Sequence, residues 1–272
     1  MKQSFCGMAG VLALFGVGSV AAQTVHQIPE SANQPEHFSQ VIEDNSFYIE
    51  EAFNQEAGIV QHISPLTYFP SPQKDVVYSL TQEWPLGSQT HQLSFTLPYS
   101  FLNGTTVVGL GDILINYRYQ LTTGDDWAAV SPRLSVILPT GDSGKGLGNE
   151  VVGFQCNIPV SKRLSELFIA HVNVGATVVP NVKGMSLNLG GSVVVLATPE
   201  VNFLFESGTN FLSELEDGAV VHTTETILSP GMRMAIDVSE LQIVPGLAVP
   251  FVHTSGKCHV AGYMYLSFEH PF

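Results

Sequence analysis

Ionisable side chains recur on the polar face of alternating segments of this sequence, and they have the clearest capacity for chemistry. They are Glu83, Asp112, Arg118, Arg133, Glu206, Arg233 and Glu269. Carboxylates and guanidinium groups on one face of a sheet can line a polar path and select solutes by charge. They can equally pair with each other and fill the space between strands. Because an unpaired charge in a low-dielectric interior is costly, we expect Arg118 and Arg133 to contact acidic partners, with Asp112 and Glu83 as candidates.

Motifs for catalysis and metal binding are missing from the sequence. It contains no Gly-x-Ser-x-Gly elbow, and the glycine-rich stretch 144–148 has the spacing of neither a phosphate loop nor a dinucleotide loop. No Cys-x-x-Cys or His/Cys ligand cluster occurs. Cys156 and Cys258 fall on segments predicted to lie far apart, so we expect no disulfide. We therefore expect no enzymatic activity, no metal and no cofactor.

The segments that carry these side chains alternate with a period of two, which is typical of β-strands. In 111–121 the residues Ile113, Ile115 and Tyr117 share one face, while Asp112 and Arg118 share the other. Twelve such segments are predicted, at 48–60, 75–84, 91–101, 111–121, 128–139, 150–160, 168–179, 186–197, 200–207, 224–236, 241–254 and 258–271. The first is the weakest, because its glutamates interrupt the alternation.

The composition favours a barrel in a membrane over a soluble β-sandwich. Hydrophobic residues make up 44 % of the chain and charged residues only 12 %, against roughly 25 % charged in a typical soluble domain. A soluble sandwich needs a charged outer surface, whereas a barrel can present an apolar surface to lipid. The net charge of −14 argues against a nucleic-acid partner, because phosphate binding requires basic patches.

The N-terminus has the pattern of a secretory signal. Lys2 precedes an apolar stretch from Met8 to Val20, and the small residues Ala21 and Ala22 follow. We expect residues 1–22 to be removed and residues 23–47 to form a periplasmic lead-in or a plug. The barrel itself is predicted to span residues 48–272. In a plug, the acidic residues Glu50, Glu51 and Glu56 could bind a divalent cation, although a solvated rim or a first strand explains them more simply.

The C-terminus ends on the aromatic Phe272 after a strand-like alternation from Val260 onward. A secreted chain with such a last strand is typical of bacterial outer-membrane barrels, in which this strand closes the sheet and leaves no edge exposed to lipid. We expect Phe272 to act as a signal to the barrel-assembly machinery. An edge strand of a secreted sandwich is the alternative. The predicted connections are short on the periplasmic side and mostly longer outside, with a large external loop at Ser207–Thr223.

Several motifs resemble a family of outer-membrane barrels that is labelled as associated with the phenol meta-cleavage pathway or as transporter-like. They are Gly109–Asp112 before its strand, Leu138–Asp142, Ile158–Leu164 and Leu196–Glu206. The resemblance covers roughly residues 48–210 and the last strand. It implies an outer-membrane barrel that passes small hydrophobic or aromatic compounds, and it carries over no catalytic residues.

The sequence therefore predicts an all-β fold, a transmembrane antiparallel up-and-down barrel of about twelve strands in the bacterial outer membrane. Its partners would be membrane lipid and small solutes, and its function passive transport, with the inward charges lining the lumen. A structural or surface-binding barrel with a closed interior is the first alternative. A barrel lipid hydrolase and a soluble secreted sandwich are less favoured, since the sequence suggests no Ser/His pair for hydrolysis.

Overall fold

The computed structural model describes residues 46–72, 74–124, 127–180, 184–216 and 219–272. The described chain forms β-strands and one short 3-10 turn at Ser143–Lys145. The strands are β1 Ile59–Ile63, β2 Leu66–Phe69, β3 Asp75–Pro85, β4 His91–Leu102, β5 Val107–Leu110, β6 Ile113–Tyr119, β7 Ala129–Val130, β8 Arg133–Leu138, β9 Gly153–Arg163, β10 Phe168–Val179, β11 Gly184–Leu196, β12 Val201–Glu216, β13 Ala219–Met234, β14 Ile236–Val238, β15 Leu241–Ala248, β16 Phe251–Thr254, β17 Lys257–Val260 and β18 Gly262–Pro271.

These 18 strands form a single antiparallel sheet that closes into a barrel of 12 strands. The numbers differ because six barrel strands are each split into two pieces by a short break. Pro65, Pro132 and Pro250 lie in three of these breaks, where a residue without an N–H donor interrupts the ladder. The barrel closes where β1 pairs with both β3 and β18. The predicted fold class is therefore confirmed.

The two faces of the sheet differ in chemistry, as the alternation predicts. On β10 the side chains of Val172 and Val174 point outward and are exposed, whereas those of His171 and Asn173 are buried inside. The same division on β18 exposes Met264 and buries Tyr265. An apolar outer surface around a polar interior is the arrangement of a membrane barrel. No helix in the described part of the chain is long and apolar enough to span a membrane.

Most of the predicted strands are confirmed, some with nearly the same bounds. The segment predicted at 168–179 is β10, and that predicted at 241–254 comprises β15 and β16. The predicted first strand at 48–60 is wrong, because the barrel wall begins only at Ile59. Residues 46–58 contain no strand, and residues 46–55 are buried inside the barrel; we call residues 46–58 the lumenal segment. Residues 1–45, which include the expected signal sequence, lie outside the described residues.

The predicted external loop at Ser207–Thr223 is also wrong. These residues belong mainly to β12 and β13, which pair continuously from Val201↔Met234 to Glu216↔Ala219. Glycine and polar residues resemble a loop here, but they are the inward half of a continuing alternation, with Asn210 buried and Phe211 exposed. The expected difference in length between short periplasmic and longer external connections is therefore small. The connection 139–152 is the long one at the end of the barrel opposite the chain termini.

Candidate functional site: the barrel lumen

The lumenal segment occupies the interior of the barrel. The side chains of residues 46–55 are all buried, although none of these residues belongs to the sheet. Glu50, Asn54 and Gln55 have essentially no exposed surface. Buried polar side chains require partners, and the inward face of the wall provides them on both sides of the segment. The sequence favours a rim or a first strand over a plug here, whereas the structure shows residues 46–55 inside the barrel.

A buried ion pair joins the middle of the segment to the wall. Both carboxylate oxygens of Glu50 accept from Arg133 Nε, at 3.1 and 3.0 Å, and Arg133 Nη2 contacts the same carboxylate. Arg133 Nη1 donates to Asn116 Oδ1 at 3.1 Å and also contacts Ser135. This bidentate geometry, with further bonds to the guanidinium group, is what makes a buried ion pair tolerable. Both carboxylate oxygens of Glu50 thus bind the guanidinium group of Arg133, which takes the place of the cation that the sequence suggested.

The partners predicted for the two arginines were only partly right. Arg118 Nη2 donates to the main-chain oxygen of Glu51, and the Glu83 carboxylate accepts from Gln92 Nε2 at 2.9 Å nearby. Asp112 is not a partner of either arginine. Its carboxylate instead accepts from the main-chain N–H of Gly141 at 2.9 Å, and from the main-chain and side-chain nitrogens of Asn149 at 2.7 and 2.8 Å. Asp112 therefore ties the connection 139–152 to the barrel end.

That connection carries a second, exposed ion pair between Asp142 and Lys145. The Nζ–Oδ2 distance is 2.8 Å, and both side chains are about half exposed. Hydrogen bonding and positive charge from Lys145 lower the pKa of the Asp142 carboxyl. The pair stabilises the short turn at Ser143–Lys145. It lies apart from the lumenal segment and offers a comparison for the buried pair.

On another part of the wall, Glu206 of β12 holds the start of the lumenal segment. One oxygen, Oε1, accepts from the consecutive main-chain N–H groups of Phe47, Tyr48 and Ile49, at 3.0, 2.8 and 3.1 Å. Consecutive N–H groups that converge on one anionic oxygen form an anion-binding nest. Here the anion is a side chain of β12, and the nest is the bend of the segment at residues 47–49. Glu206 thus acts as an anchor for main-chain atoms.

The remaining predicted residues lie inside the barrel away from the Arg133 pair. Arg233 on β13 is 1 % exposed and Glu269 on β18 is 9 % exposed. Glu269 lies in register with Gln61 on one neighbouring strand and with Gln242 on the other. All seven inward residues predicted from the sequence are therefore buried in the barrel. Whether they control solute passage remains a prediction.

Two notches in the wall receive side chains of the segment. A Cβ added at Gly246 would lie 2.5 Å from Cζ of Phe47, and one at Gly231 would lie 2.7 Å from Cε2. A Cβ at Gly190 would lie 2.4 Å from Cδ1 of Ile49. The wall therefore lacks side chains where the segment needs space. The aromatic rings of Tyr263 and Tyr265 pack against Phe47 with centroids 5.2 and 5.1 Å away, within the range of favourable aromatic pairs.

The inward-facing histidine His171 contacts Ser161 under the segment, a pairing that the sequence does not predict. Ser161 Oγ lies 2.6 Å from His171 Nδ1, and it accepts from the main-chain N–H of Ala52 at 2.8 Å. His171 Nε2 has no hydrogen-bond partner within the described ranges, so no acidic group orients the ring. The pair faces the lumen rather than the apolar outer surface, which does not suit hydrolysis of membrane lipid.

Cys156 and Cys258 are free.

The residues that sequence reasoning missed are mostly amides that bind the segment. Asn173 and Gln92 face inward on β10 and β4, and Gln120 directly follows β6; none of them gives a motif by itself. Their signal in the sequence was only the run of amides on the polar faces of the predicted strands. Among the described residues, no group of three or more His, Cys, Asp or Glu side chains is arranged to hold a metal ion.

Comparison with known proteins relates the fold to bacterial outer-membrane channels. The crystal structure of an outer membrane channel from Pseudomonas putida F1 matches with a TM-score of 0.57 at 12 % identity, covering 81 % of this chain and 98 % of that one. The KdgM porin matches with a TM-score of 0.51 at 7 % identity, covering 78 % and 99 %. The NanC porin matches with a TM-score of 0.50 at 9 % identity, covering 78 % and 100 %. At such low identity the likeness is one of fold.

No protein-family model and no curated protein matches this sequence. The specific resemblance to the phenol meta-pathway family is therefore not confirmed. The broader expectation, a barrel with the architecture of outer-membrane channels and porins, is confirmed by the structural likeness.

Proposed function

We propose that this chain is a passive outer-membrane channel for small solutes, and that the lumenal segment closes it at rest. The observation that carries the proposal is a polar barrel interior filled by a segment that is not part of the wall. A purely structural barrel of this width can fill its interior with its own wall side chains. Here the interior is filled by a stretch of chain that precedes the first strand, which begins at Ile59. This stretch can therefore leave the lumen without breaking the hydrogen bonds between strands.

The fold likeness supports the same conclusion. Three solved structures that resemble this chain are an outer membrane channel and two porins. The apolar outer surface of the barrel supports an outer-membrane location. The last strand β18 and Phe272, which is 71 % exposed, would provide the contact for the barrel-assembly machinery. Fractionation of membranes, with unheated and boiled samples compared on a denaturing gel, tests location and barrel formation together.

The solutes proposed are small and include hydrophobic or aromatic compounds. The resemblance of the sequence motifs favours aromatic compounds, and the packing of Phe47 between Tyr263, Tyr265 and two glycines gives an independent reason. The surrounding wall accepts a six-membered ring without displacement of other side chains. Aromatic solutes would pass this point of the lumen once Phe47 has left it.

The experiment compares planar-bilayer currents of the mature protein with those of a variant lacking residues 23–57. The variant keeps the main-chain oxygen of Gly58, which accepts from the N–H of Phe272 at 3.0 Å and belongs to the barrel closure. We expect rare openings in the mature protein and a persistent conductance in the variant. A variant that folds, as judged by its gel shift, but never conducts would favour the alternative of a structural barrel with a closed interior.

A further inference from the structure

The wall of the lumen binds the main chain of the lumenal segment rather than its side chains at most points of contact. Asn173 Oδ1 accepts from the N–H of Glu50 at 2.7 Å, while its Nδ2 donates to the carbonyl of the same residue at 2.6 Å. Gln120 Nε2 donates to the carbonyl of Ala52 at 2.6 Å, and its Oε1 accepts from the N–H of Asn54 at 2.9 Å. Each amide therefore serves one donor and one acceptor, as a neighbouring strand would.

Other wall residues extend this pattern along the segment. Gln92 Oε1 accepts from the N–H of Gln55 at 2.6 Å. Ser161 accepts from Ala52, Arg118 donates to the carbonyl of Glu51, and Glu206 accepts from three N–H groups. These wall groups lie on several different strands around the barrel. Main-chain amide groups are present in every peptide, so contacts of this kind do not depend on the side-chain sequence.

Fewer contacts depend on the side chains of the segment. Ser46, Asn54 and Gln55 hydrogen-bond to Ser192, Ser131 and Gln61, and Ile49 packs at Gly190. One aromatic contact and one charged contact differ from these in kind. Phe47 fills the aromatic notch at Gly231 and Gly246, and Glu50 pairs with Arg133. The bound motif is thus an aromatic residue, two intervening residues and an acidic residue. A simple aromatic compound could satisfy the notch alone. It would leave the wall amides and Arg133 without the partners that the segment provides, which lowers its affinity relative to a ligand that satisfies both.

We propose that the lumen is a binding site for short peptides, and that the lumenal segment occupies this site as a tethered competitor. The inference rests on the proposed channel function and specifies its solutes as short peptides that carry an aromatic residue three positions before an acidic one. Because a short tether gives an effective concentration in the mM range, free peptides bind the intact protein weakly. Removal of the tethered segment exposes the site to peptides at much lower concentrations.

The test uses the variant lacking residues 23–57 and a fluorescently labelled synthetic peptide that contains residues 46–57. Binding is measured by anisotropy on barrel that retains its heat-dependent gel shift in detergent. We expect saturable binding to the variant, and binding to the intact protein only at far higher peptide concentration. A second peptide keeps residues 46–50, Asn54 and Gln55, whose side chains contact the wall, and has alanine elsewhere. We expect it to bind the variant within about tenfold of the first.

A matched pair of methylated peptides isolates the main-chain contacts. Methylation of the Ala52 nitrogen removes its donation to Ser161, whereas the nitrogen of the adjacent Phe53 makes no hydrogen bond within the described residues. We expect the first modification to weaken binding at least about tenfold, and the second to have a much smaller effect, because only the first removes a buried hydrogen bond. Equal effects would overturn main-chain recognition.

The outcomes separate this inference from the channel function. If the variant conducts but binds neither peptide, or binds only the first, the segment is an internal plug and the peptide-site inference is overturned. If both peptides bind but the variant does not conduct, the channel function fails while the binding site stands. Blockade of the current by phenol, at concentrations at which the peptides do not block, would make simple aromatic compounds the ligands and would also overturn the inference.

Discussion

The ion pair between Glu50 and Arg133 should control how often the lumenal segment leaves the barrel. Both side chains are almost fully buried, at 0 and 6 % exposure. Removing one partner of a buried pair costs about 3–5 kcal/mol, because the remaining charge is left uncompensated. In this barrel that cost falls on the closed state alone, since Arg133 can become hydrated once the segment leaves. The substitution Glu50→Gln keeps the size of the side chain and removes its charge.

The expected magnitude follows from that cost. A loss of about 3 kcal/mol corresponds to roughly a 100-fold change in an equilibrium constant, so the ratio of open to closed barrels should rise on the order of 100-fold in Glu50→Gln. The measurement is the open probability of single channels in planar bilayers at constant salt. The double variant Glu50→Gln with Arg133→Gln should lie closer to the wild type than the sum of the two single changes, because neither charge is then left alone.

Asp142→Asn provides the control for this prediction. It also removes one carboxylate from an ion pair, but the pair with Lys145 is exposed to solvent, and such pairs contribute little to stability. We expect its open probability to equal that of the wild type. The reasoning is refuted if Glu50→Gln and Asp142→Asn behave alike while both proteins keep the gel shift of a folded barrel. A change in conductance without a change in open probability would also contradict it.

Three further predictions concern other parts of the barrel. Gly246→Ala should raise the open probability about tenfold or more, because its Cβ would lie 2.5 Å from Phe47. Overpacking of this kind would destabilise the closed state by about 1–3 kcal/mol. Gly262→Ala is the control, since its Cβ would have nothing within 4 Å. Asp112→Ala should release the connection 139–152 and speed tryptic cleavage after Lys145, whereas Asp75→Ala, which frees the turn at Asn103 instead, should not. Arg118→Ala and Arg133→Ala should alter conductance or ion selectivity, and unchanged bilayer currents in both would reject a role for the inward charges in selectivity.

The wall of the barrel was predictable because each of its strands carries its own signal. A side chain on a strand faces either lipid or the interior, so the period-two pattern of 168–179 contains nearly all the information that determines β10. The prediction failed for Ser207–Thr223, where Gly208 and Asn210 suggest a loop. These residues face a crowded interior, in which small and amide side chains are suitable, and the outward residue Phe211 preserves the alternation.

The lumenal segment was not predictable in the same way, because its conformation is determined by contacts with many distant strands. Glu206 is 157 to 159 residues away from the N–H groups that it accepts, and Asn173 is 123 residues from Glu50. No local pattern encodes such contacts. The seven inward residues could be named from the sequence. The partners of Arg118, Arg133 and Glu206, however, lie in residues 47–51, most of which were predicted to be part of the wall.

The interrupted alternation of the segment predicted at 48–60 nevertheless indicates that this segment lies in the lumen. Glu50 and Glu51 occupy adjacent positions, so a strand at 48–60 would direct one of them toward lipid, where an ionised side chain is costly. At the same time Arg118 and Arg133 face each other across neighbouring strands and require negative charge between them. A segment that cannot face lipid, and an interior that needs its charge, satisfy each other when the segment enters the lumen. The same two constraints make the ion pair of Glu50 with Arg133 the contact on which closure of the barrel should depend most.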